Sequence, residues 1–192
     1  MNGNRLETPR LLLRNWHDAD LDAWAELNAD PRVMEFFPTR YDRERSDATA
    51  ARMRADLAAD GYGWWAVEVK NGLPFAGIVA LQEVPFEATF TPALEIGWRF
   101  RSDAWGHGYA TEGARAALAF AFERLERTEV VAITALLNLR SQRVMERLGM
   151  TRDAGDDFEH PWIEAGHRLR QHVLYRITRE RYARLMASTA AP

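Results

Sequence analysis

The sequence contains no cysteine and no long apolar run. The absence of cysteine excludes a catalytic thiol, a structural disulfide and a cysteine–zinc site, and it is typical of a cytoplasmic protein. The apolar run Leu11–Leu13 is too short for the core of a signal peptide, and no run approaches membrane-spanning length. The formal net charge of −3 argues against a general affinity for nucleic acid. We therefore expect a cytoplasmic protein with no membrane partner and no nucleic-acid partner.

The length of the chain suits one domain with its own hydrophobic core. The chain has 192 residues, of which 47% are hydrophobic and 28% are charged, as is ordinary for a globular protein. It shows no internal repeat and no low-complexity linker. We expect a single domain over residues 5–187.

Periodicity and turn residues divide the chain into strands and helices. Predicted strands cover residues 10–16, 64–70, 74–84, 93–100, 130–136, 149–152 and 172–177. Predicted helices run from Asp18 or Asp20 to Ala29, over 31–37, from Ser46 to 60, over 114–125, up to Leu148 and from Thr178 to 186. Residues 154–168 are predicted to form a long connection. This pattern predicts an α+β fold with a mixed, mainly antiparallel sheet flanked by helices.

A glycine turn lies between a predicted strand and a predicted helix, at residues 105–111. Glycines there allow bare backbone N–H groups to approach a ligand, and the helix dipole adds positive charge, so the turn suits a pyrophosphate. A P-loop lysine is absent, and Thr111 replaces the third glycine of the dinucleotide fingerprint. On spacing alone, an ordinary tight strand–helix connection is the alternative.

Two linked motifs resemble those of the GNAT superfamily of N-acyltransferases. Residues 105–110 match its motif Gln/Arg-x-x-Gly-x-Gly/Ala at Gly108 and Ala110. With Trp105 in the first position, residues 105–112 read Trp-Gly-x-Gly-Tyr-Ala-Thr-Glu, which is similar to the branch containing ribosomal-protein N-terminal acetyltransferases. Asn138–Ser141 and Glu146–Met150 match the second motif of that branch.

The resemblance implies a GNAT-like fold, in which two parallel strands splay apart. It also implies the reaction that the protein catalyses. The implied reaction transfers an acetyl group from acetyl-CoA to a primary amine, either a protein N-terminus or a small-molecule amine. The amine attacks directly in a ternary complex, without a metal. The alternative is a non-catalytic acyl-CoA-binding sensor or partner module with the same fold. A homodimer through the sheet edge or the last strands is compatible with the sequence.

The resemblance also indicates where acetyl-CoA would bind. Backbone N–H groups of the turn would hold the pyrophosphate, the strand edge at 98–100 would pair with the pantetheine arm and supply oxyanion donors, and Asn138 would bond a pantetheine amide. The expected acetyl-CoA contacts are Trp98, Phe100, Trp105, Gly106, His107, Gly108, Tyr109, Ala110, Thr111, Asn138 and Ser141.

Acyl transfer to an alkylamine, with a pKa near ~10.4, needs a base, and an α-amine near ~8 needs less help. Glu95 is the first candidate base, and the alternative is a carboxylate paired with an arginine. His160 is the second candidate, and the alternative is a surface turn fixed by Pro161. Met145 occupies the position where the superfamily often has a tyrosine acid. Ser141 is therefore the candidate acid, with a helix-capping role as the alternative.

The acceptor site is expected between the early helices and the loop at residues 157–162. Its candidate residues are Phe36, Phe37, His160 and Trp162. For Phe36 and Phe37, core packing is the alternative.

Overall fold

The computed structural model describes residues 5–189, which form one continuous sheet flanked by helices. The strands are β1 (Leu6–Glu7), β2 (Leu11–Arg14), β3 (Trp64–Val69), β4 (Gly77–Glu83), β5 (Leu94–Phe100), β6 (Glu129–Ala135), β7 (Thr151–Arg152), β8 (Phe158–Glu159) and β9 (Gln171–Thr178). The helices are α1 (Asp20–Ala29), α2 (Arg43–Asp60), α3 (Tyr109–Glu123), α4 (Leu139–Arg147) and α5 (Arg179–Thr189). No helix in residues 5–189 is long and apolar enough to cross a membrane.

The sheet is mixed, with one parallel pair at its centre. Its strand order is β1-β2-β3-β4-β5-β6-β9-β7, and β8 pairs with the same edge of β9. All neighbours are antiparallel except β5 and β6, which α3 connects. This topology confirms the α+β, mainly antiparallel fold that the sequence predicts.

The two faces of the sheet at β5 pack against different helices. Trp98 pairs with Val79 on the face that α3 covers, where a methyl group added at Gly113 would lie 3.1 Å from the Val79 side chain. Arg99 points to the opposite face, where it contacts Asn28 of α1. Side chains alternate along a strand, so residues 95, 97 and 99 share this second face.

Gly77 brings β4 and β5 together. Its φ of +148° lies in a region that other residues rarely adopt, and a methyl group there would lie 2.2 Å from the carbonyl oxygen of Arg99. The sequence predicts β4 from residue 74, but the strand begins at Gly77, where the two strands approach most closely and only glycine fits.

Two predicted helix starts are wrong. Helix α3 begins at Tyr109 instead of residue 114, because Gly108 adopts a left-handed conformation as its N-cap. Helix α2 begins at Arg43 because the Asp42 side chain accepts a hydrogen bond from the Arg45 backbone N–H. Ser46, the predicted cap, is buried inside α2 instead.

The Asp42 cap yields a stability prediction. We expect Asp42→Ala to lower the free energy of unfolding by about 1 kcal/mol, because an N–H of the first turn of α2 loses its acceptor. Urea denaturation at pH 7 measures this change. Asp42→Asn keeps an acceptor and is the matched control; equal losses in both variants would show that the carboxylate charge, and not the cap, matters.

A short strand, β8, lies within the segment that the sequence predicts to be a connection. Phe158 pairs with His172 of β9, and the His160 backbone N–H donates to the carbonyl of Arg170. This pairing anchors the start of the 157–162 loop to the sheet, where it faces the opening between the central strands.

Candidate active site

The parallel strands β5 and β6 separate soon after they meet. In the described chain they pair at Glu95 and Val131, and no register pair follows. The edge of β5 that faces β6 therefore has no strand partner over residues 97–100. Such an edge presents backbone N–H and C=O groups with which an extended ligand can pair.

A cleft of about 1730 Å³ runs through this opening. It joins the turn before α3, the start of α4, the segment after α1 and the loop after β8. All the predicted site residues line it: Phe36, Phe37, Glu95, Trp98, Phe100, Trp105, Gly106, His107, Gly108, Tyr109, Ala110, Thr111, Asn138, Ser141, His160 and Trp162. The structure thus brings the predicted residues into one cavity.

The turn before α3 presents unpaired backbone donors to the cleft. Gly106 and Gly108 have φ of +81° and +80°. Within residues 5–189, the N–H groups of 106–111 have no intramolecular acceptor. Tyr109, Ala110 and Thr111 form the first turn of a 15-residue helix, so the helix dipole adds positive charge there. This turn has the charge and the donors to hold an anion.

Arg10 stabilises the turn from outside. Its Nη1 donates to the carbonyl of His107 at 2.9 Å, and its Nε donates to the Glu112 carboxylate at 2.6 Å. The rings of His107 and Tyr109 stack at 5.3 Å. These contacts hold the glycine turn in place, and Arg10 offsets the charge of the nearest acidic side chain.

Trp105 supports the site from below the turn. Its Nε1 donates to the carbonyl of Phe100 at 3.0 Å, and the Arg140 guanidinium lies 4.6 Å from its ring. Phe100 itself is buried in the core. The tryptophan therefore ties the end of β5 to the start of α3, the two elements that flank the opening.

Asn138 and Ser141 interact at the start of α4. The Asn138 side chain caps the helix by accepting from the Ser141 N–H at 3.2 Å, and its amide donates to the hydroxyls of Thr134 and Ser141. Since the Ser141 oxygen accepts this bond, its own proton is free for another acceptor. The capping role belongs to Asn138, and Ser141 keeps a hydroxyl at the cleft.

Met145 follows Ser141 by one helical turn, and its side chain is buried in the core at 2% exposure. It has no group that protonates a thiolate. Ser141 is the hydroxyl that α4 presents to the cleft, and no tyrosine lies on this helix.

Glu95 lies beside the point where the central strands part. Its carboxylate accepts a hydrogen bond from Gln82 Nε2 at 3.1 Å, and within residues 5–189 no arginine or lysine forms an ion pair with it. The predicted alternative, an arginine pair, is therefore wrong. Burial raises the pKa of Glu95 to about 7, and the Gln82 hydrogen bond opposes this rise in part.

An aromatic cluster lies at the same end of the cleft. His160 packs against Phe86 and His172, each with a centroid distance of 4.8 Å, and Trp162 packs on Phe86 at 5.5 Å. Burial and the neighbouring His172 lower the pKa of His160 to about 4. His160 Nδ1 accepts from the Trp162 N–H at 3.3 Å, so the neutral ring carries its proton on Nε2. Trp162 is 66% exposed at the rim of the cleft.

Phe36 and Phe37 lie on the opposite wall and differ in their surroundings. Phe36 packs against a small apolar cluster that includes Ile163 and Leu169. The ring of Phe37 stacks on the Arg99 guanidinium at 4.0 Å. Core packing therefore explains some of the contacts that Phe36 makes. Phe37 instead borders the open cleft beside the Arg99 guanidinium.

The cleft residues that were not among the predicted site residues include Gln82, Phe86 and Arg99. Strand pairing places Gln82 opposite Glu95, and alternation places Arg99 on the same face as Glu95. The hairpin register of β4 with β5 is the signal that identifies both. Phe86 lies in a loop, and no sequence periodicity reveals its contacts with His160.

Comparisons with known proteins agree with this architecture. The family model described as "Acetyltransferase (GNAT) domain" matches residues 10–151. The FsC-acetyl coenzyme A-N(2)-transacetylase of Aspergillus fumigatus is 31% identical over 191 residues, covering 94% of this chain and 78% of that protein. A GNAT-family acetyltransferase structure from Bacillus anthracis has a TM-score of 0.75 at 25% identity, covering 92% of this chain and 99% of its own.

A further solved structure, Mycobacterium smegmatis RimJ in complex with CoA-disulfide, has a TM-score of 0.72 at 21% identity and covers 96% of this chain and 93% of its own. This likeness shows the shared fold. Because the family model matches most of the chain and the fungal transacetylase matches nearly all of it, this protein belongs to the GNAT family of acetyltransferases.

Proposed function

We propose that this protein transfers an acetyl group from acetyl-CoA to a primary amine. The observation that carries the proposal is the position of Glu95, a carboxylate without a cationic partner in residues 5–189, next to the opening between β5 and β6. Its raised pKa, about 7, suits a general base near neutral pH. The A. fumigatus relative, named as an acetyl coenzyme A N(2)-transacetylase, supports nitrogen as the acceptor atom.

The donor fits along the unpaired groups of the cleft. We place the pyrophosphate at the free N–H groups of residues 106–111 and the pantetheine arm along the open edge of β5. Free N–H groups of β5 residues 98 and 100 would stabilise the oxyanion that forms on the thioester carbonyl. RimJ, which shares the fold, was solved with CoA-disulfide, and this supports a CoA ligand here.

The chemistry then needs two proton transfers. The amine lone pair attacks the carbonyl carbon of the thioester, and Glu95 takes the proton from the nitrogen, directly or through a water. The C–S bond breaks with its electron pair on sulfur. The Ser141 hydroxyl donates a hydrogen bond to the thiolate, which takes up a proton from water and leaves as CoA, and Glu95 releases the proton of the amine to solvent. The products are the acetylated amine and free CoA.

Glu95 fits the role of base better than His160 does. The lone pair of neutral His160 accepts the Trp162 N–H, so this nitrogen is not free to take a proton. Its low pKa, about 4, also makes it a weak base. We propose that His160, with Trp162, Phe36 and Phe37, instead shapes the acceptor site.

Substitution of Ser141 tests the proposed acid. We expect Ser141→Ala to lower kcat about 10-fold while the KM for acetyl-CoA stays within about twofold, because a bond to the sulfur strengthens as negative charge develops there. Steady-state kinetics measure both constants. Ser141→Cys retains a weak donor, so its kcat should lie between those of the wild type and Ser141→Ala. If Ser141→Ala has the same kcat as the wild type, Ser141 takes no part in the mechanism.

Incubation of the protein with acetyl-CoA and a panel of peptides and small amines tests the function as a whole. Release of free thiol, together with an acetylated product in mass spectrometry, is the expected result. Failure to bind any acyl-CoA in calorimetry would overturn the proposal.

A second candidate function is an acyl-CoA sensor that binds without turnover. The buried Met145 favours it, since α4 lacks the usual tyrosine acid. Saturable binding of acetyl-CoA with no thiol release across the amine panel would support the sensor, and an acetylated product would exclude it.

A further inference from the structure

Arg99 lies on the cleft wall among aromatic rings. Its guanidinium carbon lies 4.0 Å from the ring centroid of Phe37, 5.3 Å from that of Trp24 and 5.6 Å from that of Tyr41. Its Nη1 donates to Asn28 Oδ1 at 2.6 Å. These neighbours fix the direction of the side chain but carry no negative charge.

No carboxylate within residues 5–189 forms an ion pair with Arg99, and its Nε is buried without a hydrogen-bond acceptor. By contrast, the buried arginine Arg14 is paired with both Asp20 and Glu68. A desolvated cation without a counterion is unfavourable. The protein thus keeps a positive charge at the cleft that its own acids do not neutralise.

A second cation lies close to the first. The Arg45 guanidinium lies 4.1 Å from the ring centroid of Tyr41, donates to Thr39 Oγ1, and has no ion-pair partner in the described range. Both arginines line the cleft. Two neighbouring cations around one tyrosine repel each other, and an anionic ligand relieves this repulsion.

Open space connects Arg99 with Glu95. The two residues share one face of β5 with Gly97 between them, and a methyl group added at Gly97 would meet nothing within 4 Å. Four residues of a strand span about 13 Å. A ligand that lies over Gly97 therefore reaches both side chains if its functional groups are on the order of 10 Å apart.

We infer that the amine acceptor carries a carboxylate, which binds at Arg99 while the amine faces Glu95. The inference rests on the proposed transfer to an amine and specifies its substrate class. A planar guanidinium held by aromatic rings is suited to a carboxylate, and the fixed spacing over Gly97 selects acceptors by length.

The experiment compares acceptors that differ in the carboxylate alone. One arm uses the ω-amino acids from 4-aminobutanoate to 8-aminooctanoate against their primary amides. The other arm uses Ala-Ala-Glu amide against Ala-Ala-Gln amide, and so separates small acceptors from peptides. We expect kcat/KM to favour the carboxylate member of the best pair about 10- to 100-fold, and Arg99→Gln to reduce this ratio to about one.

Controls separate recognition from folding. The KM for acetyl-CoA should stay within about twofold in Arg99→Gln, and Arg99→Lys should keep part of the preference. Arg43→Gln is the matched control, because Arg43 lies on the same helix as Arg45 but is paired with Asp22 and Asp47 outside the cleft. It should leave the preference unchanged.

The outcomes of this experiment distinguish a failure of the inference from a failure of the proposed function. Thiol release with no preference for carboxylates in either arm overturns the inference and leaves the proposed function intact, as do equal losses for both members of a pair in Arg99→Gln. Absence of turnover with every amine counts against the proposed function. In that case, calorimetric titration of 8-aminooctanoate into the wild type and Arg99→Gln, both with CoA present, decides the inference: binding lost in the variant supports it, and equal or absent binding overturns it.

Discussion

Replacement of Glu95 by glutamine is expected to lower kcat about 1000-fold at pH 8 while the KM for acetyl-CoA stays nearly constant. The substitution keeps the size of the side chain and its hydrogen bond with Gln82, but it removes the group that takes the proton from the amine. General-base catalysis contributes roughly 100- to 10,000-fold in enzymes, and the expected loss lies in the middle of this range. Stopped assays of thiol release with saturating acetyl-CoA measure the change.

The pH profile gives this prediction a second test. Since the pKa of Glu95 is about 7, the basic form accumulates as the pH rises through 7, and kcat/KM should rise with a limb near that value. In Glu95→Gln this limb should disappear, leaving the limb of the amine itself, near ~8 for an α-amine acceptor. A limb near pH 7 that persists in Glu95→Gln would assign the base to another residue. Gln82→Leu is the companion variant, and it should shift the limb to higher pH because Glu95 loses the hydrogen bond that lowers its pKa.

As the pH rises through 7, the contribution of Glu95 to the free energy of unfolding should fall, whereas kcat/KM should rise. The pKa of Glu95 is raised from 4.5 to about 7, so folding takes up a proton between these values. The contribution of this carboxyl to stability is fully present below pH 4.5 and is lost as the pH rises through 7. A neutral glutamine does not titrate, so Glu95→Gln should gain free energy of unfolding relative to the wild type between pH 5 and pH 8, on the order of 3 kcal/mol. A residue that weakens the fold where it is ionised is typical of a catalytic group.

The chain order of the motifs allowed much of the site to be predicted. Strand–turn–helix periodicity and the two glycines placed an anion-binding turn at residues 106–111, and the structure shows the left-handed glycines and free N–H groups there. Alternation along β5 placed Glu95 and Gly97 on one face, and the β4 register agrees. These features depend on local geometry, which sequence patterns express directly.

The features that the sequence did not predict depend on contacts between distant segments. Asp42 rather than Ser46 caps α2, since Ser46 is buried against Asn28 of α1. The aromatic contacts of His160 require β8 to pair with β9, and a two-residue strand is too short to give a periodic signal. Arg99 has no unusual sequence context; its isolation from carboxylates appears once α1, α2 and β5 are packed together.

The second large effect is expected at the glycine turn. Gly108→Asp should raise the KM and the Kd for acetyl-CoA about 100-fold, because a carboxylate at the N-cap of α3 repels the pyrophosphate. Two unit charges about 5 Å apart at an effective dielectric constant of ~20 interact by about 3 kcal/mol, which corresponds to this factor. Calorimetry with acetyl-CoA measures the Kd directly.

Gly108→Asn is the matched variant, since asparagine and aspartate have the same shape and both tolerate the left-handed conformation that φ of +80° requires. The asparagine variant should lose no more than about 10-fold in affinity, and added salt should narrow the gap between the two variants because it screens the repulsion. The aspartate should also stabilise α3, since a negative charge at its N-terminus favours the helix dipole. A variant that folds more stably and binds acetyl-CoA less tightly than its asparagine counterpart would place the diphosphate at these amides, whereas equal affinities for the two variants would place it elsewhere.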